Sequence, residues 1–159
     1  MRAWKFGDDI NTDLITPGRF NVTTDKAKLG KIAFIEYRPE FSKEVREGDI
    51  IVGGMNFGCG SSREHSPIAI KAAGIKAVVA KSFGRIFFRN SVNIGLPIFI
   101  CKGVDGIDDD DDIEIDISTG EISNATRGTL IQAEPLPRFI QMIVDKGGLI
   151  NFLRDEGYV

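Results

Sequence analysis

The sequence predicts an α/β domain in which parallel and antiparallel strands are combined with flanking helices. Three observations lead to this prediction. The middle of the chain alternates short apolar runs with amphipathic segments, the part after residue 112 alternates apolar with acidic residues, and the last part shows helical spacing. The 159 residues, 42% of them hydrophobic, can form a core without disulfides or metals. No internal repeat or linker stands out, so we expect a single domain over residues 1–159.

The first part of the chain is predicted to contain one strand, a long loop and one helix. Apolar and polar residues alternate from Arg2 to Phe6, which favours a short strand. The segment that follows, as far as Asp25, is rich in Asp, Asn, Thr and Gly, and these residues favour turns. We expect a loop there, and its length and polarity indicate a functional role. A short helix is predicted from Asp25 to Ala33.

The middle of the chain is typical of a parallel βαβαβ unit. A β-rich run is followed by a glycine-rich turn, an apolar-periodic segment that Gly74 stops, and two further strand signals separated by a helical one. This alternation predicts parallel strands joined by right-handed crossovers. The predicted elements are strands at 49–54, 76–81 and 97–101, helices at 64–73 and 84–93, and the turn at 58–62.

The remainder of the chain is predicted to form antiparallel strands followed by terminal helices. Isoleucines alternate with acidic residues over 113–117, a Ser-Thr-Gly turn follows, and β character resumes. From 136 to 153 apolar residues recur with helical spacing until Gly147 and Gly148 interrupt them, which predicts one or two helices. The later strands are expected at 121–123 and 129–132.

Charge and hydropathy exclude several classes of function. The chain has 20 Lys and Arg against 23 Asp and Glu, and without a basic block nothing indicates binding to nucleic acid or to an anionic membrane. The N-terminal residues soon become acidic and include no signal-peptide core, and no apolar run is long enough to span a bilayer. We therefore expect a cytoplasmic protein that binds any anion locally.

Only two cysteines are present, Cys59 and Cys101, and they lie far apart in different contexts. This argues against a disulfide framework and against a multi-thiolate metal site, so no metal site or iron–sulfur cluster is predicted on this chain. Cys101, at the end of an apolar strand, is interpreted as a packing residue. Cys59, between two glycines, is either a reactive thiol or a small residue in a crowded turn.

The segment 56–65 (NFGCGSSREH) is the strongest candidate for a binding site. Gly58 and Gly60 remove the restriction that a Cβ places on the backbone, so successive N–H groups can point at one anion. A helix that starts at Ser61 or Ser62 would add its partial positive charge. The spacing matches neither a Walker phosphate loop nor a GxGxxG dinucleotide motif.

Two interpretations of this segment remain open. In the first, Arg63 adds a guanidinium fork suited to a carboxylate. In the second, Ser61 and Ser62 are N-caps, and Glu64 and His65 are ordinary residues of a first helical turn. His65 is the only histidine of the chain, and a single histidine is more often a hydrogen-bonding residue than a catalyst.

Two further motifs have both a structural and a functional interpretation. The run Asp108 to Asp112 lacks the ligand spacing of a calcium loop, and we interpret it as a solvated loop. The segment 83–90 (FGRIFFRN) mixes aromatics with arginines, and the aromatics are interpreted as the apolar face of a helix. Arg85 and Arg89, four residues apart on one face, either line a cleft or lay their apolar stems on the surface.

Three motifs, in this order, resemble one enzyme family. DDINTDLITPGRF at 8–20, NFGCGSSREH at 56–65 and SFGRIFFRN at 82–90 recur in the small subunits of 3-isopropylmalate dehydratase and archaeal homoaconitase. The GSSREH segment is also shared with the swivelling C-terminal domain of single-chain aconitases. The likeness covers nearly the whole chain, which is therefore similar to the small subunits of aconitase-type hydro-lyases.

This resemblance implies a swivelling β/β/α domain that closes over a large partner subunit. The large subunit carries a [4Fe-4S] cluster, and the small subunit binds no cofactor. The pair moves a hydroxyl between adjacent carbons of a 2-hydroxy polycarboxylic acid by dehydration and rehydration. In leucine biosynthesis it interconverts 2-isopropylmalate and 3-isopropylmalate. A homo-oligomer of small subunits is left open.

The resemblance also implies roles for individual residues. Ser61 matches the serine that abstracts the proton, and Ser62 and Arg63 match residues that bind a substrate carboxylate. A serine alkoxide requires stabilisation, and N–H donors, a helix N-terminus and Arg63 would supply it. The surrounding residues are expected to shape the cleft wall or to support the loop, namely Asn11, Thr12, Asp13, Gly58, Cys59, Gly60, Glu64 and His65.

The loop after Pro17 is similar to the family's substrate-selecting loop. Homoaconitases place an Arg there for an extra carboxylate, and isopropylmalate enzymes place an apolar residue. Val22 stands where that Arg would lie, with Asn21 beside it, and a γ-carboxylate left unpaired against Val22 would lose recognition energy. Arg19 is close enough in sequence to bind a carboxylate instead.

Isopropylmalate is therefore the expected substrate, and several alternatives stay open. A homoaconitase subunit and a broad-specificity hydro-lyase for citramalate or dimethylmalate belong to the same enzyme class. A stand-alone anion-binding domain would need no cluster-bearing partner. An RNA-binding role is disfavoured by the acidic balance of the chain.

Overall fold

A four-stranded parallel sheet forms the middle layer of the structure, a computed structural model that describes residues 1–159. Its strands are β1 (Ala3–Lys5), β2 (Ile50–Gly53), β3 (Ala77–Ala80) and β4 (Ile98–Ile100), and they lie side by side in chain order. All their residues are buried except Lys5 and Ile100, which are partly exposed. Strands covered on both faces have continuous apolar sequences, which explains the runs seen in the middle of the chain.

The two faces of this sheet pack against different layers. Alternate residues such as Trp4, Ile51 and Val78 belong to a core shared with the helices. Their neighbours, such as Ile50 and Val79, belong to a second core shared with an antiparallel sheet. The period of two along each strand therefore places one side-chain set in each core. The result is the β/β/α layering that the family resemblance implied.

Seven helices and a three-stranded antiparallel sheet complete the fold. The antiparallel sheet has the order β5 (Ile113–Ile115), β6 (Glu121–Asn124), β7 (Thr129–Gln132). No helix is both long and apolar enough to cross a membrane. The helices are α1 (Thr12–Ile15), α2 (Lys26–Ile32), α3 (Pro39–Glu44), α4 (His65–Ala72), α5 (Arg85–Asn93), α6 (Arg138–Asp145) and α7 (Leu149–Asp155).

The predicted combination of parallel and antiparallel strands is confirmed, and the structure shows how they are divided. They form two separate sheets, and a single antiparallel bridge between Arg2 and Asp112 joins the edge of one to the other. The N-terminal strand pairs with β2, with Trp4 opposite Ile51. A strand of three residues carries too little pattern for the sequence to assign its neighbour.

Two helices lie where the sequence did not predict them. α1 falls within the predicted loop, and it forms because the Asn11 side chain caps it by accepting from the Leu14 N–H at 3.0 Å. α3 begins with Pro39, whose fixed φ suits the first position of a helix, and buries Phe41. Both helices are short, so tertiary packing and capping stabilise them more than periodicity does.

The interpretation of residues 108–112 as a solvated loop is wrong for Asp111, which is only 4% exposed. Its carboxylate accepts from Asn124 Nδ2 at 2.7 Å, the Asp108 N–H at 2.9 Å and Arg127 Nε at 3.0 Å. Three donors within reach compensate the cost of burying this charge. The acidic run therefore leads into β5 and is fixed there by the hydrogen bonds of Asp111.

Asp109 shows a related effect on its acidity. Burial alone would raise the pKa of Asp109, but hydrogen bonds from the Arg38 guanidinium and the Lys5 N–H outweigh it, and the pKa is lowered. A depressed carboxyl pKa stabilises the fold above the unfolded value of about 3.9, and that contribution is lost as the pH falls through the folded pKa. The contact of Asp109 with Lys5 of β1 therefore makes the stability of the fold depend on pH in the acidic range.

Replacing Asp111 by Ala should lower the free energy of unfolding by about 2–4 kcal/mol, because Asn124 and Arg127 would lose their buried acceptor. Urea denaturation followed by circular dichroism measures this change. Asp112→Ala is the matched control, since its carboxylate is 67% exposed and pairs only with the N-terminal amine. We expect the control to lose about 1 kcal/mol or less. Equal losses in the two variants would contradict the structural role of Asp111.

Candidate functional site

The candidate site lies at one edge of the parallel sheet. The chain after β1 carries Asn11 to Asp13, the chain after β2 carries Gly58 to Arg63, and the chain after β3 carries Phe83 to Arg85. Because parallel strands all end at the same edge, these three segments meet there. The three motifs that carry the family resemblance are thus brought together by the topology of one sheet.

Backbone hydrogen bonds join the glycine loop, residues 58–63, to the segments on either side. The Gly58 N–H donates to Ile10 O at 2.7 Å, and the Thr12 N–H donates to Cys59 O at 2.9 Å. On the other side, the Gly84 N–H donates to Phe57 O at 2.9 Å. The start of the loop is therefore held as part of a backbone network rather than as a free turn.

Glycine is required at the positions where the loop turns. Gly58 has φ of 77°, and a Cβ there would lie 2.2 Å from Cγ of Phe87. Gly60 has φ of 104°, a conformation that residues with a side chain rarely adopt. A Cβ on Gly84 would lie 2.8 Å from Gly58 O. The glycines of the motifs therefore allow the glycine loop to approach α5 and the chain after β3 closely.

The loop exposes a row of unused backbone donors. The N–H groups of Gly60, Ser61, Ser62 and Arg63 make no hydrogen bond within the chain. Successive free donors of this kind can bind an anion where they point to one side of a loop. Of the two interpretations that the sequence left open, the structure therefore favours the anion site over the helix cap.

The helix start at Ser61 or Ser62 that the anion-site interpretation assumed is wrong, whereas the apolar periodicity over 64–73 predicts the helix within one residue at each end. α4 begins at His65 with Glu64 as its N-cap residue, and no side chain caps it. Pro67 explains the later start, because a proline is tolerated in the first turn but would break a helix that began at Ser61. The partial positive charge of α4 therefore lies further along the chain than the spacing indicated.

Ser61 and Thr12 form the polar centre of the site. The two hydroxyl oxygens lie 3.1 Å apart, and either atom can be the donor. Thr12 is only 2% exposed, whereas Ser61 is exposed. Thr12 thus holds a fixed hydroxyl against Ser61 from the buried side, while the free N–H groups lie next to Ser61 in the chain.

Arg63 is held in place by the first motif. One of its guanidinium nitrogens forms an ion pair with Asp13, and the same nitrogen lies 3.5 Å from Thr16 O. The guanidinium also lies against Gly18, where a Cβ would be 3.3 Å from both terminal nitrogens. Asp13 therefore orients Arg63 rather than simply lining the wall, and Asn11 caps α1.

Sequence reasoning missed the buried pair beneath this site. Ser66 and Thr16 are fully buried, and their hydroxyl oxygens lie 2.8 Å apart. Ser66 Oγ also donates to Thr12 O at 3.2 Å. These contacts fix α4 against the segment that carries Thr12. Serine and threonine in these positions give no sequence signal that separates them from surface residues.

The segment after Pro17 lies beside the site and presents an apolar side chain. Val22 is 88% exposed, and Arg19 forms an exposed ion pair with Glu36. Asn21 Oδ1 is buried without a hydrogen-bond partner in the chain. An exposed ion pair of this kind is weak, so the roles of Arg19 and Val22 in selecting a substrate group stay predictions.

The side chains of Glu64 and His65 make no hydrogen bond or ion pair within the chain, so their supporting role stays a prediction. Cys59 is half-buried in the loop and Cys101 is buried, with both thiols free. Burial raises the pKa of the Cys101 thiol, as expected for a packing residue.

Arg85 and Arg89 line a cleft, which resolves the second open alternative. The cavity has a volume of about 550 Å³ and lies between these arginines and the backbone of Gly58 to Gly60. Sequence spacing placed both arginines on one helix face. The closeness of that face to the glycine loop follows only from the fold.

Comparison with known proteins identifies the family of the chain. The Aconitase C-terminal domain family matches residues 8–102. The 3-isopropylmalate dehydratase small subunit of Methanosarcina acetivorans is 54% identical over 96% of this chain and 94% of its own. The isopropylmalate/citramalate isomerase small subunit of Methanocaldococcus jannaschii is 47% identical over 98% of this chain and 93% of its own.

The fold also matches a solved structure. A crystal structure of 3-isopropylmalate dehydratase from Methanocaldococcus jannaschii superposes with a TM-score of 0.94 at 47% identity, covering 98% of this chain and 92% of that one. Such agreement in sequence and structure over nearly the whole length shows that the two proteins belong to one family. The chain belongs to the aconitase C-terminal domain family and, within it, to the small subunits of 3-isopropylmalate dehydratase.

Proposed function

We propose that this chain supplies the proton-transfer and carboxylate-binding half of a 3-isopropylmalate dehydratase site. The observation that carries the proposal is that the N–H groups from Gly60 to Arg63 have no hydrogen-bond partner in the chain, next to an exposed Ser61 hydroxyl and a guanidinium that Asp13 holds. The names of the relatives support the reaction and the leucine pathway.

Ser61 is the base in this proposal. Its alkoxide takes the proton from the carbon next to the hydroxyl-bearing carbon, and the C–H electron pair forms the double bond as the hydroxyl leaves. Rehydration with the opposite placement of proton and hydroxyl gives the isomer. A donated hydrogen bond from Thr12 and the nearby N–H groups stabilise the alkoxide. Ser62 and Arg63 hold a substrate carboxylate.

The donor set of this chain does not fit an iron–sulfur cluster. The chain has two cysteines, one of them buried, and no group of three His, Cys, Asp or Glu side chains is close enough to hold a metal ion. We therefore place the [4Fe-4S] cluster on the large subunit that the relatives' designation implies. A cluster held there would supply a Lewis acid for the hydroxyl of the substrate.

The exposed Val22 supports isopropylmalate as the substrate, because an isopropyl group can be buried against it when the site closes. The relative from Methanocaldococcus jannaschii, an isopropylmalate/citramalate isomerase subunit, favours citramalate as a second candidate.

We infer further that residues 1–159 move as one swivelling domain. A cytoplasmic location is consistent with two cysteines that are both free.

Replacing Ser61 by Ala should lower kcat of the reconstituted pair about 10²–10⁴-fold, the usual range for the loss of a general base. Steady-state isomerisation of isopropylmalate with the cluster-bearing large subunit measures it. Ser62→Ala is the control on the neighbouring hydroxyl, and we expect it to raise KM more than it lowers kcat. A Ser61→Ala variant with more than about a tenth of wild-type kcat would exclude Ser61 as the base.

Thr12→Val should lower kcat about 10–100-fold, since a hydrogen bond to a charged oxygen contributes roughly 1.5–3 kcal/mol. The substitution keeps the volume of the buried side chain but removes the hydroxyl. Thr12→Ser restores the hydroxyl, so this variant should stay close to wild type. If both variants lose activity equally, Thr12 acts through packing and not through the contact with Ser61.

Val22→Arg should shift selectivity towards acids with an additional carboxylate. The ratio of kcat/KM for homoaconitate to that for isopropylmalate should rise by about 10-fold or more, because a guanidinium pairs with the γ-carboxylate and removes the apolar contact. Competition assays with both substrates measure the ratio. Thr24→Arg adds the same charge to an exposed position two residues away and should leave the ratio nearly unchanged. An equal shift in the two variants would refute a selective role for Val22.

A further inference from the structure

The beginning of α5 carries charges that do not favour the helix. Arg85 is the first residue of α5, where the helix dipole disfavours a cation, and no acidic residue lies in the first turn. Arg89 follows four residues later, so two like charges share one face. Helix stability does not explain this pair, and a function outside the helix is the better explanation.

The charge of these arginines is not neutralised within the chain. Both side chains are exposed and neither forms an ion pair, in contrast to Arg63 and Arg127, which pair with aspartates. No acidic residue lines the cavity of about 550 Å³ that they share with the glycine loop. The free N–H groups beyond Gly60 add to the positive potential. In a chain with a net charge of -3, the lining of this cavity is locally cationic.

An apolar side chain lies beside the two cations. Ile86 is 45% exposed and lines the same cavity. An arginine-rich surface around an exposed aliphatic residue is typical of a protein interface, where arginine is enriched and the apolar contact is buried. Arg89 lies one turn, or about 6 Å, further along α5 than Arg85. The cationic surface thus extends away from the loop, further than a small dicarboxylate at Arg63 would need.

We propose that Arg85, Ile86 and Arg89 form a docking surface for the large subunit, whose facing surface carries carboxylates around an apolar contact. The inference rests on the proposed function, because a serine base on this chain must meet a cluster on another. A partner that reaches Ser61 has to cover the adjoining rim of the glycine loop. Arg85 and Ile86 lie on that rim, next to Gly58 to Gly60.

The test measures the dissociation constant between the small subunit and the cluster-bearing large subunit. Arg85→Glu and Arg89→Glu should each raise Kd at least about 10-fold, mainly through slower association, and should reduce its salt dependence. Arg46→Glu is the matched control, since Arg46 is also exposed and without an ion pair but precedes β2, at the opposite edge of the sheet. Its Kd should stay within about twofold of wild type.

A milder pair of variants, Arg85→Gln and Arg89→Gln, repeats the measurement in case charge reversal impairs folding. At saturating large subunit, KM for isopropylmalate should remain unchanged in all four variants. An unchanged Kd would overturn the proposal. An increase in KM without an increase in Kd would overturn it as well, because the arginines would then bind substrate and not the partner.

The outcomes also separate this inference from the proposed function. Ser61→Ala should bind the large subunit with wild-type Kd while its turnover is lost. If the wild-type pair associates in an Arg85-dependent manner but does not isomerise isopropylmalate, the proposed function fails and the docking surface stands. If Ser61→Ala loses turnover while the arginine variants bind normally, the function stands and the docking surface fails.

Discussion

The site depends on the backbone hydrogen bonds that join the glycine loop to its two neighbours. The Gly58 N–H and Cys59 O bond to the chain after β1, and Phe57 O bonds to the N–H of Gly84 after β3. The bond from the Gly58 N–H, together with one from the Cys59 N–H to Asn56 O at 3.2 Å, uses the donors at the start of the loop, and those from Gly60 to Arg63 stay free. Without these bonds, the loop could fold so that its N–H groups bond within the loop, or it could move freely in solvent. In either case it would present no fixed row of donors.

That constraint explains why the glycines and Pro67 belong to one arrangement. The positive φ angles of Gly58 and Gly60 let the chain turn while α5 packs closely against it. Pro67 then delays the start of α4 to His65, so that Ser61 to Arg63 stay outside the helix. If the helix began earlier, Ser61 and Ser62 would be consumed as caps. Their N–H groups would then be bonded within the helix and unavailable to an anion.

The sequence was sufficient for the features that depend on local pattern and insufficient for those that depend on tertiary contact. Apolar runs predicted β2, β3 and β4, and helical spacing with Gly74 predicted α4 within one residue of its end. The family resemblance predicts only that Asn11 lies in the cleft wall. Its capping of α1 depends on the path of the chain after β1, which the sequence does not give. The burial of Asp111 depends on Arg127 and Asn124, which are distant in sequence. The contact of Thr12 with Ser61 likewise spans 49 residues, and no periodicity reports it.

An open site of this kind needs closure to become reactive. Ser61 is exposed, and the ion pair between Arg63 and Asp13 is partly solvated. Water screens such charges strongly, so the donors around Ser61 stabilise an alkoxide weakly until the solvent is excluded. A partner that covers the rim removes the water and strengthens every contact around Ser61 at once, without any change in their geometry. The function that we propose divides the site between two chains, and it therefore couples the basicity of Ser61 to assembly, because the base becomes effective only where the partner and the substrate are already bound.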